Sequence, residues 1–169
     1  LVGMENMGWT YAKFLLGNER TGIAGVARAR GALERLRDLA AQILGNDGGR
    51  LIEDPDFRHR IAAIETDLLA LSHTDLRVAV SAAKGALGPE ASILKVKGTE
   101  IQQAISDLAV ETLGPYAAPF DQPHGDNLGD IGPANRKGVV PAMLFGRAAS
   151  IYGGTNEVQR NIVAKAVLG

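Results

Sequence analysis

Apolar residues recur every three and four positions along most of this chain, and that period restricts it to helices packed on helices. One seam runs Val26, Ala29, Leu33, Leu36, Ala40 and Ile43. A second runs Phe57, Ile61, Ile64, Leu68 and Leu71, then Val78 and Ala82. A third places Leu94, Ile101, Ile105 and Leu108 inward, with Lys95, Lys97 and Glu100 expected toward solvent. No segment alternates with the period of a strand for more than a few residues. Composition points the same way, with 46% hydrophobic residues but only 5% aromatic ones. A chain of 169 residues is enough for one domain with a core and too short for two comfortable ones.

Turn residues divide the seams into elements. Leu1 to Gly8 reads as a lead-in, and Trp9 to Leu16 as a short helix ended by Gly17. Asn18 is then placed to cap a long helix, which the run Gly45-Asn46-Asp47-Gly48-Gly49 stops. Asp54-Pro55 starts the next helix, a cap followed by the residue best tolerated at the first helical position. Gly85 to Pro89 forms a turn, and a third helix runs from Glu90 to Leu113. Gly114 to Arg136 is rich in Gly, Pro, Asp and Asn and reads as a long loop of the kind that is functional or disordered. A fourth helix is expected over Val140 to Ile151, with Val140, Leu144, Ala148 and Ile151 inward. The expected fold is all-α: an up-down four-helix bundle with an extra C-terminal helix, one domain over residues 1–169.

Several function classes are disfavoured. The net charge is −1, with 18 basic and 19 acidic residues, so no global field recruits nucleic acid or an anionic membrane. Arg28, Arg30, Arg35 and Arg37 are interleaved with Glu34 and Asp38, as on a solvated helix face. There is no cysteine, and His59, His73 and His124 lie on separate segments without metal-ligand spacing. No apolar run approaches the ~20 residues of a membrane span, and no signal peptide is visible, so a soluble cytoplasmic protein is expected.

The densest signal for chemistry is the run Ile151-Tyr152-Gly153-Gly154-Thr155-Asn156-Glu157-Val158-Gln159-Arg160-Asn161-Ile162. Two successive glycines let the backbone approach a ligand that a side chain would exclude. Thr155 or Asn156 can cap the following helix, and Asn156 with Gln159 three residues on has the form of a capping box. The inward face of that helix is expected to be Val158, Ile162, Val163, Ala166 and Val167. A helix N-terminus behind a Gly-rich turn presents free N–H groups, which suits phosphate or a polar cofactor edge.

This run resembles the C-terminal signature of the acyl-CoA dehydrogenases, flavoenzymes that desaturate acyl-CoA thioesters. The opening Gly8-Trp9-Thr10-Tyr11-Ala12-Lys13-Phe14-Leu15-Leu16-Gly17-Asn18-Glu19-Arg20 resembles the family's entry into its C-terminal helical domain. The stretches Leu15 to Ile23, Leu51 to Pro55 and Leu113 to Tyr116 are closest in wording to large subunits of pimeloyl-CoA dehydrogenase. The resemblance implies FAD as cofactor and an acyl-CoA substrate. It also implies electron-transfer flavoprotein as acceptor, and assembly into a homo-oligomeric dimer or tetramer or with a related subunit. It further implies that an N-terminal helical domain and a middle β domain of the parent enzyme lie outside this sequence. The chain alone is then expected to hold FAD weakly or not at all, and to be inactive.

The family's chemistry needs a carboxylate to take the proton next to the thioester carbonyl. In many members it is a Glu between the Tyr and the Gly-Thr of the signature, and here that position is Gly153. A minority places the Glu before the Arg of the entry motif, which matches Glu19 followed by Arg20. The resemblance thus makes Glu19 the catalytic base and sets Arg20 at the thioester and CoA end. It gives Gly154, Thr155 and Glu157 to the flavin-contacting turn, Tyr152 to the substrate pocket and Gly114 to the adenine half of FAD. Glu19 read alone is better explained as an acid favoured in a first helical turn, Arg20 equally as a helix-start residue paired with Glu19 or solvent, and Tyr152 also as a core residue. Gly153 also admits another function: a non-catalytic subunit that completes a partner's flavin site.

Overall fold

The computed structural model describes residues 2–84, 88–119 and 131–169, with the backbone alone at residues 16–21 and 23. Among the described residues six α-helices carry the fold: α1 (Gly8–Ile23), α2 (Val26–Ala40), α3 (Pro55–Ala83), α4 (Glu90–Leu113), α5 (Val139–Gly146) and α6 (Asn156–Leu168). Among the described residues there is no strand, only an isolated antiparallel bridge between Leu44 and Arg50 in the α2–α3 turn. The all-α helical bundle expected from periodicity is the observed one. None of the described helices is long and apolar enough to cross a membrane.

Helix α4 is the axis of the molecule and packs against α1, α2, α3, α5 and α6. That position explains why its buried side chains spread around most of its circumference, including Ala91, Leu94, Val96, Ile101, Ile105 and Leu108. Ala29, Leu33 and Leu36 of α2 and Phe57, Ile61, Leu68 and Leu71 of α3 join them in one continuous core. Each such Leu or Ile contributes about 1.5–3 kcal/mol on leaving water. Helix α3 begins as its sequence requires: the Asp54 carboxylate accepts from the Phe57 N–H at 2.8 Å, and Pro55 occupies the first turn.

The structure corrects four local expectations. Gly17 does not end the first helix, because α1 continues through Gly17 and Asn18 to Ile23. A helical glycine costs only about 1 kcal/mol. The break falls instead at Gly25, whose φ of 61° is left-handed and admits glycine far more readily than other residues. Helix α5 is shorter than expected and tightens into a single 3₁₀ turn over Arg147–Ser150. Leu144 already faces outward within α5, and after the change of pitch Ala149 is buried and Ile151 exposed. On α6, Val158 and Val167 are exposed while the polar Asn156 and Gln159 are buried. Lys95, expected in solvent, is 1% exposed. The loop opens and closes with 3₁₀ turns at Gly114–Ala117 and Ala134–Arg136, and His124 lies outside the described residues.

Candidate active site

Two adjacent residues of α4 fix the geometry of one corner of the bundle. A Cβ built on Gly98 would stand 2.5 Å from the Ala24 carbonyl oxygen, so the end of α1 rests directly on the α4 backbone there. The next residue, Thr99, donates to the Val96 carbonyl at 2.9 Å and accepts from Nδ2 of Asn156 at 3.1 Å. One turn earlier, the Lys95 ammonium donates to Oδ1 of Asn156 at 2.8 Å. The first turn of α6 and the last residues of α1 therefore meet α4 at the same height. Lys95, Thr99 and Asn156 are all buried.

Burial pushes the Lys95 ammonium below its ordinary range, and the negative charge of Glu157 partly opposes that shift. The charge is tolerated because Asn156 offers an acceptor. On the outer side of the same corner, Arg160 pairs with Glu100 at 2.6 Å, an exposed contact of small energetic weight.

The turn between α5 and α6 is built to stay bare. Gly153 and Gly154 have φ values of 66° and 89°. Thr155 caps α6, its hydroxyl accepting from the Val158 N–H at 3.3 Å. The capping box between Asn156 and Gln159 does not form. Asn156 turns to α4, and Nε2 of Gln159 donates to the Gly153 carbonyl at 3.2 Å. The helix N-terminus is also not an open phosphate site. Glu157 lies there fully exposed, and its own backbone N–H and the Thr155 hydroxyl hold its carboxylate below the usual range. An added anion would meet that charge.

The expected site residues fall into three groups. Tyr152, Gly153, Gly154, Thr155 and Glu157 form the turn and first helical residues, with Tyr152 57% exposed and hence no core residue. Glu19 and Arg20 lie on α1, and their side chains are outside the described residues. Glu19 precedes Ala24 by five residues, about 7.5 Å of helix at ~1.5 Å per residue. Gly114 ends α4 with a φ of 51°. It lies sixteen residues beyond Gly98, about 24 Å along α4. The structure thus does not bring it to the corner formed by α1 and α6. On sequence alone Lys95 is given to solvent and Gln159 to a capping box, and no role is assigned to Gly98 or Thr99. The spacing Ala91, Lys95, Gly98, Gln102, Ile105 carries the inward period, and it was available to place Lys95 inside.

Among the described residues no group of His, Asp or Glu is arranged to hold a metal ion. The run from Tyr152 to Asn156 has no carboxylate, and the acid at this turn is the exposed Glu157 at the start of α6.

The family model described as acyl-CoA dehydrogenase, C-terminal domain, matches residues 6–168. The chain belongs to the acyl-CoA dehydrogenase C-terminal domain family. It is 32% identical over 174 aligned residues to acyl-CoA dehydrogenase FadE26 of Mycobacterium tuberculosis, covering 99% of this chain and 41% of the relative. It is 27% identical to a chain of the ChsE4–ChsE5 complex of the same organism, with a TM-score of 0.74 over 99% of this chain and 42% of that one. The butyryl-CoA dehydrogenase of Megasphaera elsdenii has a TM-score of 0.77 at 22% identity, over 99% of this chain and 40% of that one, a likeness of fold. The chain thus spans about two fifths of the length of each of these three proteins.

Proposed function

We propose that this chain is the C-terminal domain of an FAD-dependent acyl-CoA dehydrogenase that introduces a double bond next to the thioester carbonyl of an acyl-CoA. The observation that carries the reading is the bare turn at Gly153 and Gly154, anchored on α4 beside the end of the helix that holds Glu19 and Arg20. The remaining domains of the parent enzyme lie outside this sequence.

The residues present fit a flavin edge. Gly154 is exposed, and two consecutive glycines keep side chains away from a planar ring. Gly154, Thr155 and Glu157 are the residues to hold it, with Gly114 toward the adenine half. FAD supplies the acceptor for the hydride that leaves the substrate. Glu19 takes the proton from the carbon next to the carbonyl, Arg20 holds the thioester and CoA end, and Tyr152 lines the acyl pocket. Gly153 supplies room rather than chemistry, and in this reading the base stands on α1. A cytoplasmic enzyme that passes electrons to an electron-transfer flavoprotein fits this reading. So does assembly through the helical domain, with a second copy or with a related subunit.

The test is Glu19→Gln in the full-length protein. FAD and acyl-CoA binding are expected to persist while flavin reduction by substrate falls by several orders of magnitude, with partial restoration by Gly153→Glu in the same background. A Glu19→Gln protein that reduces its flavin at the unaltered rate overturns the assignment and favours a non-catalytic subunit.

A further inference from the structure

Gln159 is a conspicuous buried polar side chain at this corner. It is 2% exposed, its Nε2 donates to the Gly153 carbonyl at 3.2 Å, and its Oε1 has no partner among the described residues. A buried amide left half-satisfied is retained against a penalty, so its satisfied half has to do something that an apolar side chain would not. The same Nε2 would stand 2.7 Å from a Cβ on Gly154. Gln159 thus bonds one glycine of the pair and fills the side-chain space of the other.

That arrangement has a directional consequence. The Gly153 carbonyl and the Gly154 N–H belong to one peptide unit, and the chain has no cis bonds among its described residues. In a trans peptide the two groups point in opposite directions. A carbonyl drawn inward by Gln159 therefore turns the Gly154 N–H outward, at an exposed residue with no acceptor for it among the described residues. We infer that Gln159 is a positioning residue: it latches the Gly153–Gly154 peptide so that the Gly154 N–H is presented as a fixed donor to an electron-rich acceptor atom of the bound cofactor or thioester. The inference rests on the function proposed above, since it needs a ligand at the turn.

The two glycines share one requirement, and the latch adds a second at Gly154. Gly153 and Gly154 each need a positive φ, and Gly154 additionally yields its side-chain volume to the Gln159 amide. A fixed donor also suits catalysis better than a mobile one, because no reorganisation is needed when charge develops on the ligand.

The experiment compares Gln159→Met and Gln159→Glu in the full-length protein by three readouts. The first is hydrogen exchange of the segment 151–160. It is expected to accelerate at least tenfold in Gln159→Met, while segments of α3 and α4 keep wild-type exchange. The second is the rate of flavin reduction by an acyl-CoA substrate in protein carrying stoichiometric FAD, expected to fall at least tenfold in Gln159→Met with little change in KM. The third is pH dependence. The carboxyl introduced by Gln159→Glu can donate to the Gly153 carbonyl when protonated and cannot when ionised. The Gln159→Glu rate relative to wild type is therefore expected to climb as pH falls. Unchanged exchange in Gln159→Met overturns the latch outright. Accelerated exchange with an unaltered reduction rate, or a pH-independent ratio for Gln159→Glu, overturns its role in positioning. Should the wild-type protein take neither FAD nor acyl-CoA while the exchange result holds, the proposed function fails and the latch survives as a feature of the fold.

Discussion

A lysine whose charge is kept out of water makes Lys95 the residue with the most sharply testable energetics. Among the described residues its ammonium has one acceptor, the neutral Oδ1 of Asn156, and Asn156 is in turn held by Thr99. Asn156→Leu removes that acceptor without opening a large void and is expected to cost about 2–3 kcal/mol at neutral pH, because a buried charged donor loses its partner. The sign with pH follows from burial. The folded protein binds the Lys95 proton less tightly than the unfolded chain, whose lysine titrates at its ordinary value of 10.5. Between the lowered value and 10.5 the unfolded state carries the extra proton, so stability rises with pH across that window. In Asn156→Leu the window opens at lower pH. Urea midpoints should therefore show the penalty shrinking as pH rises into the alkaline range, and a constant penalty would contradict the buried ammonium. Lys95 was legible in principle, since it shares the inward period of Ala91, Gly98 and Ile105. What hid it is that a sequence shows the charge and not the acceptor, which is supplied sixty-one residues away.

At the level of elements, the crossing of α1 over α4 decides how a glycine-to-alanine change reads out. In a free helix Gly98→Ala would stabilise by about 1 kcal/mol through helix propensity. Here the new methyl overlaps the Ala24 carbonyl, a backbone atom that cannot rotate aside. Overpacking of this kind costs about 1–3 kcal/mol. The two effects leave a net loss of about 1 kcal/mol, so the expected outcome is a thermal midpoint lowered by roughly 3 °C, and a raised midpoint would show that the helices do not touch at Gly98. The long helices α3 and α4 were readable because many periods average out local exceptions, and their ends carry Asp54-Pro55 and Gly114. The division of α1 from α2 was misplaced because Gly17 and Gly25 look alike as letters. Only packing distinguishes a glycine that continues a helix from one that breaks it. The facing of α5 was lost for another reason. Gln103 of α4 holds the Gly146 carbonyl at 3.2 Å, and the following turn tightens there, which no local period announces.

For the whole molecule, the core closes around α4 yet leaves large apolar side chains outside it. Trp9 and Phe14 of α1, Leu144 and Phe145 of α5, and Ile151 and Tyr152 beyond it are all exposed. Large apolar side chains left exposed in this way favour association, since a partner would cover them. Sedimentation at increasing concentration should show the chain self-associating, and a strict monomer at high concentration would count against it. The flavin should stay with the longer parent protein. Purification of this chain alone with a stoichiometric yellow chromophore would show that the turn and the Gly114 end suffice. The meeting of α1 and α6 on α4 also orders the protein's biosynthesis. A nascent chain extended to Leu113 already contains the helices that form the main core, and these can pair as they emerge. Lys95 and Thr99, however, wait for Asn156, and the Gly153–Gly154 peptide waits for Gln159. The corner assigned to chemistry is therefore completed only after the helices of the main core have been made, and Lys95 waits for an acceptor synthesised sixty-one residues later.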